Sequence, residues 1–120
     1  MKSVIFALSF LTALQAMAAN SIDCRNLTGA SDELSIEAVN DDHVRLTLVN
    51  ASGVEDASGV LKCTGPMEAA YGCDGKLTRL DSKKATINAR LVIAEGTLQN
   101  GGAGPVQYND VRYQCVPHKN

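Results

Sequence analysis

The stretch Ala85-Thr86-Ile87-Asn88-Ala89-Arg90-Leu91-Val92-Ile93 decides the fold. Ala85, Ile87, Ala89, Leu91 and Ile93 recur at every second position, with Thr86, Asn88 and Arg90 between them. Successive side chains of an extended strand point to opposite sides, so this alternation gives one apolar face and one polar face.

Working outward, the same period returns. Leu34, Ile36 and Ala38 alternate with Ser35 and Glu37, the chain turns at Asn40-Asp41-Asp42, and Val44, Leu46 and Leu48 alternate with Arg45 and Thr47. That is a hairpin with one face to bury. Asn50–Asp56 reads as a polar loop, Gly59–Thr64 as a third strand, and Ala69–Leu80 as a fourth with a bulge near Gly72 and Gly75. Asp81-Ser82-Lys83-Lys84 makes a turn. After the opening strand come a short strand at Gly96–Gln99, a flexible turn at Asn100–Pro105 and a closing strand at Val106–Val116. No internal repeat, linker or amphipathic helix stands out.

About seven short strands with closely spaced turns predict an all-β fold: a small antiparallel meander forming a closed or nearly closed barrel, with a β-sandwich as the alternative. Closure removes exposed edges. The aliphatic, alanine-containing inward positions predict an interior filled by side chains.

Residues 1–18 have the parts of a cleavable signal peptide. Lys2 supplies the charge, Val4–Leu14 is an uncharged apolar run, and Ala16-Met17-Ala18 gives a small-x-small cleavage pattern. The run is shorter than the roughly 20 residues that span a bilayer, and no second one follows. Asn20-Ser21-Ile22-Asp23 before Cys24 does not form the small-residue box that lipid attachment needs. Cleavage after Ala18 takes 18 of the 120 residues and leaves residues 19–120, one domain of 102. It is expected in the periplasm or secreted, with no membrane insertion after cleavage.

Cys24, Cys63, Cys73 and Cys115 all lie in that domain. An even count in a short exported chain reads as a disulfide frame with three pairings, and the wide spacing does not suit the close pairs of a zinc site. Cys63–Cys73, bridging a hairpin around Gly65-Pro66-Met67-Glu68, with Cys24–Cys115, tying the ends, is the preferred pairing. Spacing leaves Cys24–Cys63 with Cys73–Cys115 open.

Ten basic and thirteen acidic residues remain once Lys2 is removed with the leader. This balance gives no electrostatic reason to expect nucleic acid or anionic lipid as a partner. Phe6 and Phe10 leave with the leader, the chain has no tryptophan, and the only mature aromatics are Tyr71, Tyr108 and Tyr113. Sites for sugars, bases and quaternary ammonium ions use aromatic faces, so no aromatic platform is expected.

No catalytic centre is visible, and no enzyme, cofactor or metal is expected. His43 follows Asp41-Asp42 in a polar turn without a third ligand, and His118 lies in the C-terminal tail. There is no G-x-S-x-G elbow, and the carboxylate pair Glu55-Asp56 falls in a loop. Gly101-Gly102-Ala103-Gly104 is followed by Pro105 rather than by the helix a phosphate loop needs. Asn26-Leu27-Thr28 and Asn50-Ala51-Ser52 are sequons. In a eukaryotic secretory pathway Asn26 and Asn50 would be glycan acceptors, and in a bacterium they are turn formers.

The segment Tyr71-Gly72-Cys73-Asp74-Gly75 resembles the Tyr-x-Cys segment of the small periplasmic β-barrel inhibitors of c-type lysozyme. The resemblance covers about five residues and implies an exported, disulfide-bonded barrel. The loop motifs that those inhibitors insert into the lysozyme cleft are not found in this chain.

The expected function is a binding module of unknown specificity that acts through loops on a rigid frame, with a protein partner, as an inhibitor or partner of another exported protein. The alternative is a small-ligand carrier with an apolar pocket lined by Leu46, Leu48, Leu91 and Ile93. An enzyme of unrecognised type ranks third.

Overall fold

The computed structural model describes residues 21–29, 31–40, 42–67, 70–99 and 101–117. The leader reading of residues 1–18, Asp41 and His118 therefore lie outside the described residues. The elements are β1 (Ile22–Asn26), β2 (Glu33–Asn40), β3 (His43–Val49), β4 (Glu55–Met67), β5 (Ala70–Arg79), β6 (Thr86–Ala94), α1 (Glu95–Gln99), β7 (Gly104–Tyr108) and β8 (Val111–Pro117).

Each strand pairs antiparallel with the next in sequence, and β8 pairs back onto β1 through Cys24↔Cys115 and its neighbours. The result is a closed eight-stranded up-and-down barrel, and the sandwich alternative falls away. Because connections alternate between ends, β1–β2, β3–β4, β5–β6 and β7–β8 share one rim. The start of β1 and the end of β8 lie at the other.

The alternation read from the sequence becomes an inside and an outside. Leu34, Ile36, Val44, Leu46, Leu61, Leu77, Leu91 and Ile93 are essentially inaccessible to solvent and form one cluster with all four cysteines. Each such aliphatic contributes about 1.5–3 kcal/mol on burial. On the outside, Asp23, Ser35, Thr47, Ser58, Thr78 and Thr86 are successive register partners across β1 to β6. This row starts near the beginning of β1 and ends at the first residue of β6. It therefore climbs from one rim to the other, as the strand tilt of a closed barrel requires.

Both disulfides form in the preferred pairing, Cys24–Cys115 and Cys63–Cys73. Each joins register partners inside the barrel, the first across the β1–β8 seam and the second across β4–β5. Those junctions are half a circuit apart in an eight-strand ring.

Several local expectations are corrected. Ile22–Asn26 is a strand that seals the barrel, paired on both sides. Gly96–Gln99 is not a strand but part of the helical turn α1, where the Thr97 hydroxyl donates to Pro105 O at 2.8 Å and Gly102 N–H donates to Thr97 O. The chain needs that turn to return to β7. Val106–Val116 is not one strand but the β7–β8 hairpin, turning at Asn109 and Asp110, both with positive φ (45° and 69°). The strand count rises to eight. β4 begins at Glu55, within the expected loop. The irregularity in β5 pairing falls between Thr64 and Met67 of β4, whereas Gly72 and Gly75 pair regularly with β6.

All three tyrosines point into the barrel: Tyr71 and Tyr113 are buried, and Tyr108 packs against the core. Burial raises the pKa of each above 10. For Tyr71 the Glu95 charge adds to this, and for Tyr113 the hydrogen bond to Asp32 does. The unfolded chain therefore ionises first as pH rises. Stability is intact below about pH 10 and falls above it. In an alkaline titration, tyrosinate absorbance should appear together with loss of structure. A tyrosine ionising near pH 10 in the intact barrel would contradict this packing.

Candidate functional site

The rim that carries β1–β2, β3–β4, β5–β6 and β7–β8 is the candidate site. Its first two loops share the pattern Asn-x-Ser/Thr-Gly-x-x-Asp, at residues 26–32 and 50–56. They also share a hydrogen-bond plan. Asn26 Oδ1 accepts from Thr28 N–H at 2.7 Å, and Asn50 Oδ1 accepts from Ser52 N–H at 2.9 Å. The side-chain amide of each asparagine donates to the aspartate six residues on, Asn26 to Asp32 at 3.0 Å and Asn50 to Asp56 at 3.3 Å. Gly29 and Gly53 then take positive φ (94° and 79°), which few side chains tolerate. An asparagine side chain that mimics a backbone turn holds a loop in one shape. Both sequon asparagines, Asn26 and Asn50, are structural members of these turns.

The third loop follows the same principle, with Asp81 Oδ1 accepting from Lys83 N–H and Lys84 N–H, both at 3.1 Å. Backbone bonds tie the loops to their surroundings. Leu80 N–H donates to Asp56 O at 2.9 Å, linking the second and third loops, and Leu27 N–H donates to Arg112 O at 3.0 Å. Below the first loop, the Tyr113 hydroxyl donates to Asp32 Oδ2. The β7–β8 turn is pinned by Asn109, whose Oδ1 accepts from Arg90 N–H at 2.8 Å and whose amide donates to Asn88 O.

On these ordered loops stand three large aliphatic side chains: Leu27, Val54 and Leu80, 57%, 58% and 53% exposed. One rim thus presents an apolar side chain from each of three connections. Among the described residues, the other exposed large aliphatics, Val39, Val60 and Val116, sit on strand faces.

The remaining sequence candidates are placed as follows. His43 Nδ1 lies 2.9 Å from Asn40 Oδ1 and 2.8 Å from Asp42 Oδ1, inside the β2–β3 turn. Glu55 and Asp56 open β4, with Asp56 committed to Asn50. Among the described residues, no group of three His, Cys, Asp or Glu is placed to hold a metal. Leu46, Leu91 and Ile93 are fully buried within the core cluster, and Leu48 is partly buried against it. The segment Tyr71–Gly75 lies in the barrel wall, with Tyr71 and Cys73 inward and Asp74 outward beside Arg90. The repeated loop pattern was readable at a spacing of 24 residues. It is seven residues long in loops whose flanking strands differ, and hydrophobic periodicity does not register it.

The fold and rim define a small disulfide-bonded up-and-down β-barrel with an ordered loop-bearing end. No protein-family model, curated protein or solved structure matches the chain. The two disulfides are consistent with an oxidising, extracytoplasmic compartment. Among the described residues, no helix is long and apolar enough to cross a membrane.

Proposed function

We propose that the protein is exported by its leader to the periplasm or the extracellular space and there binds another protein through the loop-bearing rim, as an inhibitor or stable partner. The observation that carries this is the set of three exposed aliphatics, Leu27, Val54 and Leu80, on turns fixed by Asn26, Asn50 and Asp81. Exposed apolar side chains cost solubility and mark contact surfaces when grouped. Holding them on prefolded loops lowers the ordering entropy of association. The cross-linked frame behind them limits movement of the strands that carry the loops.

The test is capture from the extracytoplasmic extract of the source organism by the oxidised domain. Wild type should retain one partner in stoichiometric amount. The variant L27S/V54S/L80S should retain at least about tenfold less while melting unchanged, since truncating a central contact costs about 1–2 kcal/mol. A control variant, V39S/V60S/V116S, should capture normally. Absence of a saturable partner, or equal loss with the control, would reject the rim as the contact surface.

A further inference from the structure

We infer that the outer face of β6–β8 is a second part of the contact surface, shaped for an extended peptide segment of the partner that carries a carboxylate between aliphatic side chains. This rests on the protein-binding role proposed above. An open groove of about 470 Å³ runs over this face. Its lining includes Val92 and Ala94 of β6, Pro105 of β7 and Leu27 of the first rim loop. The register partners of Val92 and Ala94 on β5 are Gly72 and Ala70, so the neighbouring strand adds almost no side chain and the surface is hollow there.

Among the described residues, one charged residue lines the groove: Arg112. Val92, Gln107 and Arg112 form one cross-strand row, with Pro105 and Gln114 in the next. Of the four other strand arginines, Arg25 faces Glu33 at 3.8 Å, Arg45 faces Glu37 at 3.8 Å and Arg90 faces Asp74 at 3.9 Å, whereas Arg79, away from the groove, pairs with no described carboxylate. Arg112 makes no ion pair with a described residue. A guanidinium without a counter-charge beside apolar surface is complementary to a carboxylate flanked by aliphatic groups, and covering the groove would strengthen the attraction by lowering the local dielectric.

The occupant is a peptide rather than a free aliphatic acid for two reasons. The groove is open, whereas small-molecule sites bury about 70–90% of their ligand. Gln107 and Gln114 flank Arg112 with amides able both to donate to and accept from an extended main chain. Leu27 belongs to the rim and to the groove, so one partner reaches both without a gap.

The experiment is a nuclear magnetic resonance titration of the labelled, oxidised protein with a capped pentapeptide of valine and leucine around a central glutamate. Shifts should saturate and stay within residues 27, 70, 92–94, 105–107 and 112–114. Replacing the central glutamate by glutamine, or Arg112 by glutamine, should each weaken binding about tenfold, the loss of one charge-assisted contact. Ala94→Phe, which fills the groove, should abolish the shifts with the fold retained by its amide spectrum. No saturable shifts at millimolar peptide, equal binding of the glutamine peptide, or tighter binding of decanoate at the same residues would overturn the inference. Capture by a V54S/L80S variant reports on the rim alone and this titration on the groove alone, so the two failures are distinguishable.

Discussion

Replacing Cys24 and Cys115 together by alanine is expected to destabilise the domain by about 4–5 kcal/mol, more than the same change at Cys63 and Cys73. The bond joins residues 91 apart in sequence and spans the seam where the first strand meets the last. In the chain-entropy model a loop of that length restricts the unfolded ensemble by about 4.5 kcal/mol, against about 3 kcal/mol for the Cys63–Cys73 bond, whose separation is 10. The shorter bridge also lies within a hairpin that its own ladder already holds. Domains of this size have about 5–15 kcal/mol in total, so losing the seam bond removes a large part of it. Urea denaturation of C24A/C115A beside C63A/C73A tests the ranking. Equal or reversed losses would mean that the seam is not the junction that most needs its cross-link.

The second large effect is expected at Gly59. A Cβ there would lie 2.2 Å from the carbonyl oxygen of Lys76 and 3.0 Å from Cα of Leu77, both backbone atoms of the neighbouring strand. β4 and β5 pair at Ser58↔Thr78 and again at Leu61↔Gly75, with the close approach between those points. Because the obstacle is main chain, no rotamer change relieves it. Gly59→Ala should cost at least the 1–3 kcal/mol typical of overpacking, and Gly59→Val about 3 kcal/mol or more. Gly72 is the control. A Cβ there meets nothing within 4 Å, and its φ is outside the left-handed region. Gly72→Ala should be neutral or stabilise by about 0.4–1 kcal/mol through the unfolded chain. Thermal melts of the three variants decide the matter. Similar losses at both positions would show that close strand approach is not what the glycine at 59 provides.

Much of this fold was legible because alternation and burial coincide. The strands around Ile36, Leu46 and Leu91 were read from apolar residues at every second position, and those side chains are fully buried. The observed cysteine pairing was the preferred one, on a hairpin around residues 65–68 and closure of the ends, but spacing had left a second pairing open. What escaped was short or locally ambiguous. β1 has only Ile22 and Cys24 as its apolar pair, too few to show a period, and its place is fixed by two neighbours distant in sequence. Glu95–Gln99 reads Glu-Gly-Thr-Leu-Gln, with Gly96, the β-branched Thr97 and only one apolar side chain, Leu98, so no helical period can show. Its helical turn is set by the bond to Pro105 O and by the path back to β7. The β7–β8 turn uses Asn109-Asp110 in place of the Asn-Gly that announces a hairpin. At the rim, Asn26 and Asn50 were read as glycan acceptors or as turn formers according to the source, and their side chains are members of the turns. The three exposed aliphatics between polar residues gave no periodic signal, and only the closed topology brings their loops to one end.

If the chain is exported as proposed, the seam also has a consequence for the order in which its cysteines meet. β1 precedes its partner β8 by nearly the whole domain, so Cys24 has no native partner until Cys115 follows, while Cys63 and Cys73 become available to each other earlier. An oxidant that joins cysteines in order of appearance would link Cys24 to Cys63 and strand Cys73 with Cys115. The native nested pairing therefore depends on the central hairpin forming before it is oxidised, or on thiol–disulfide exchange to undo the consecutive bonds.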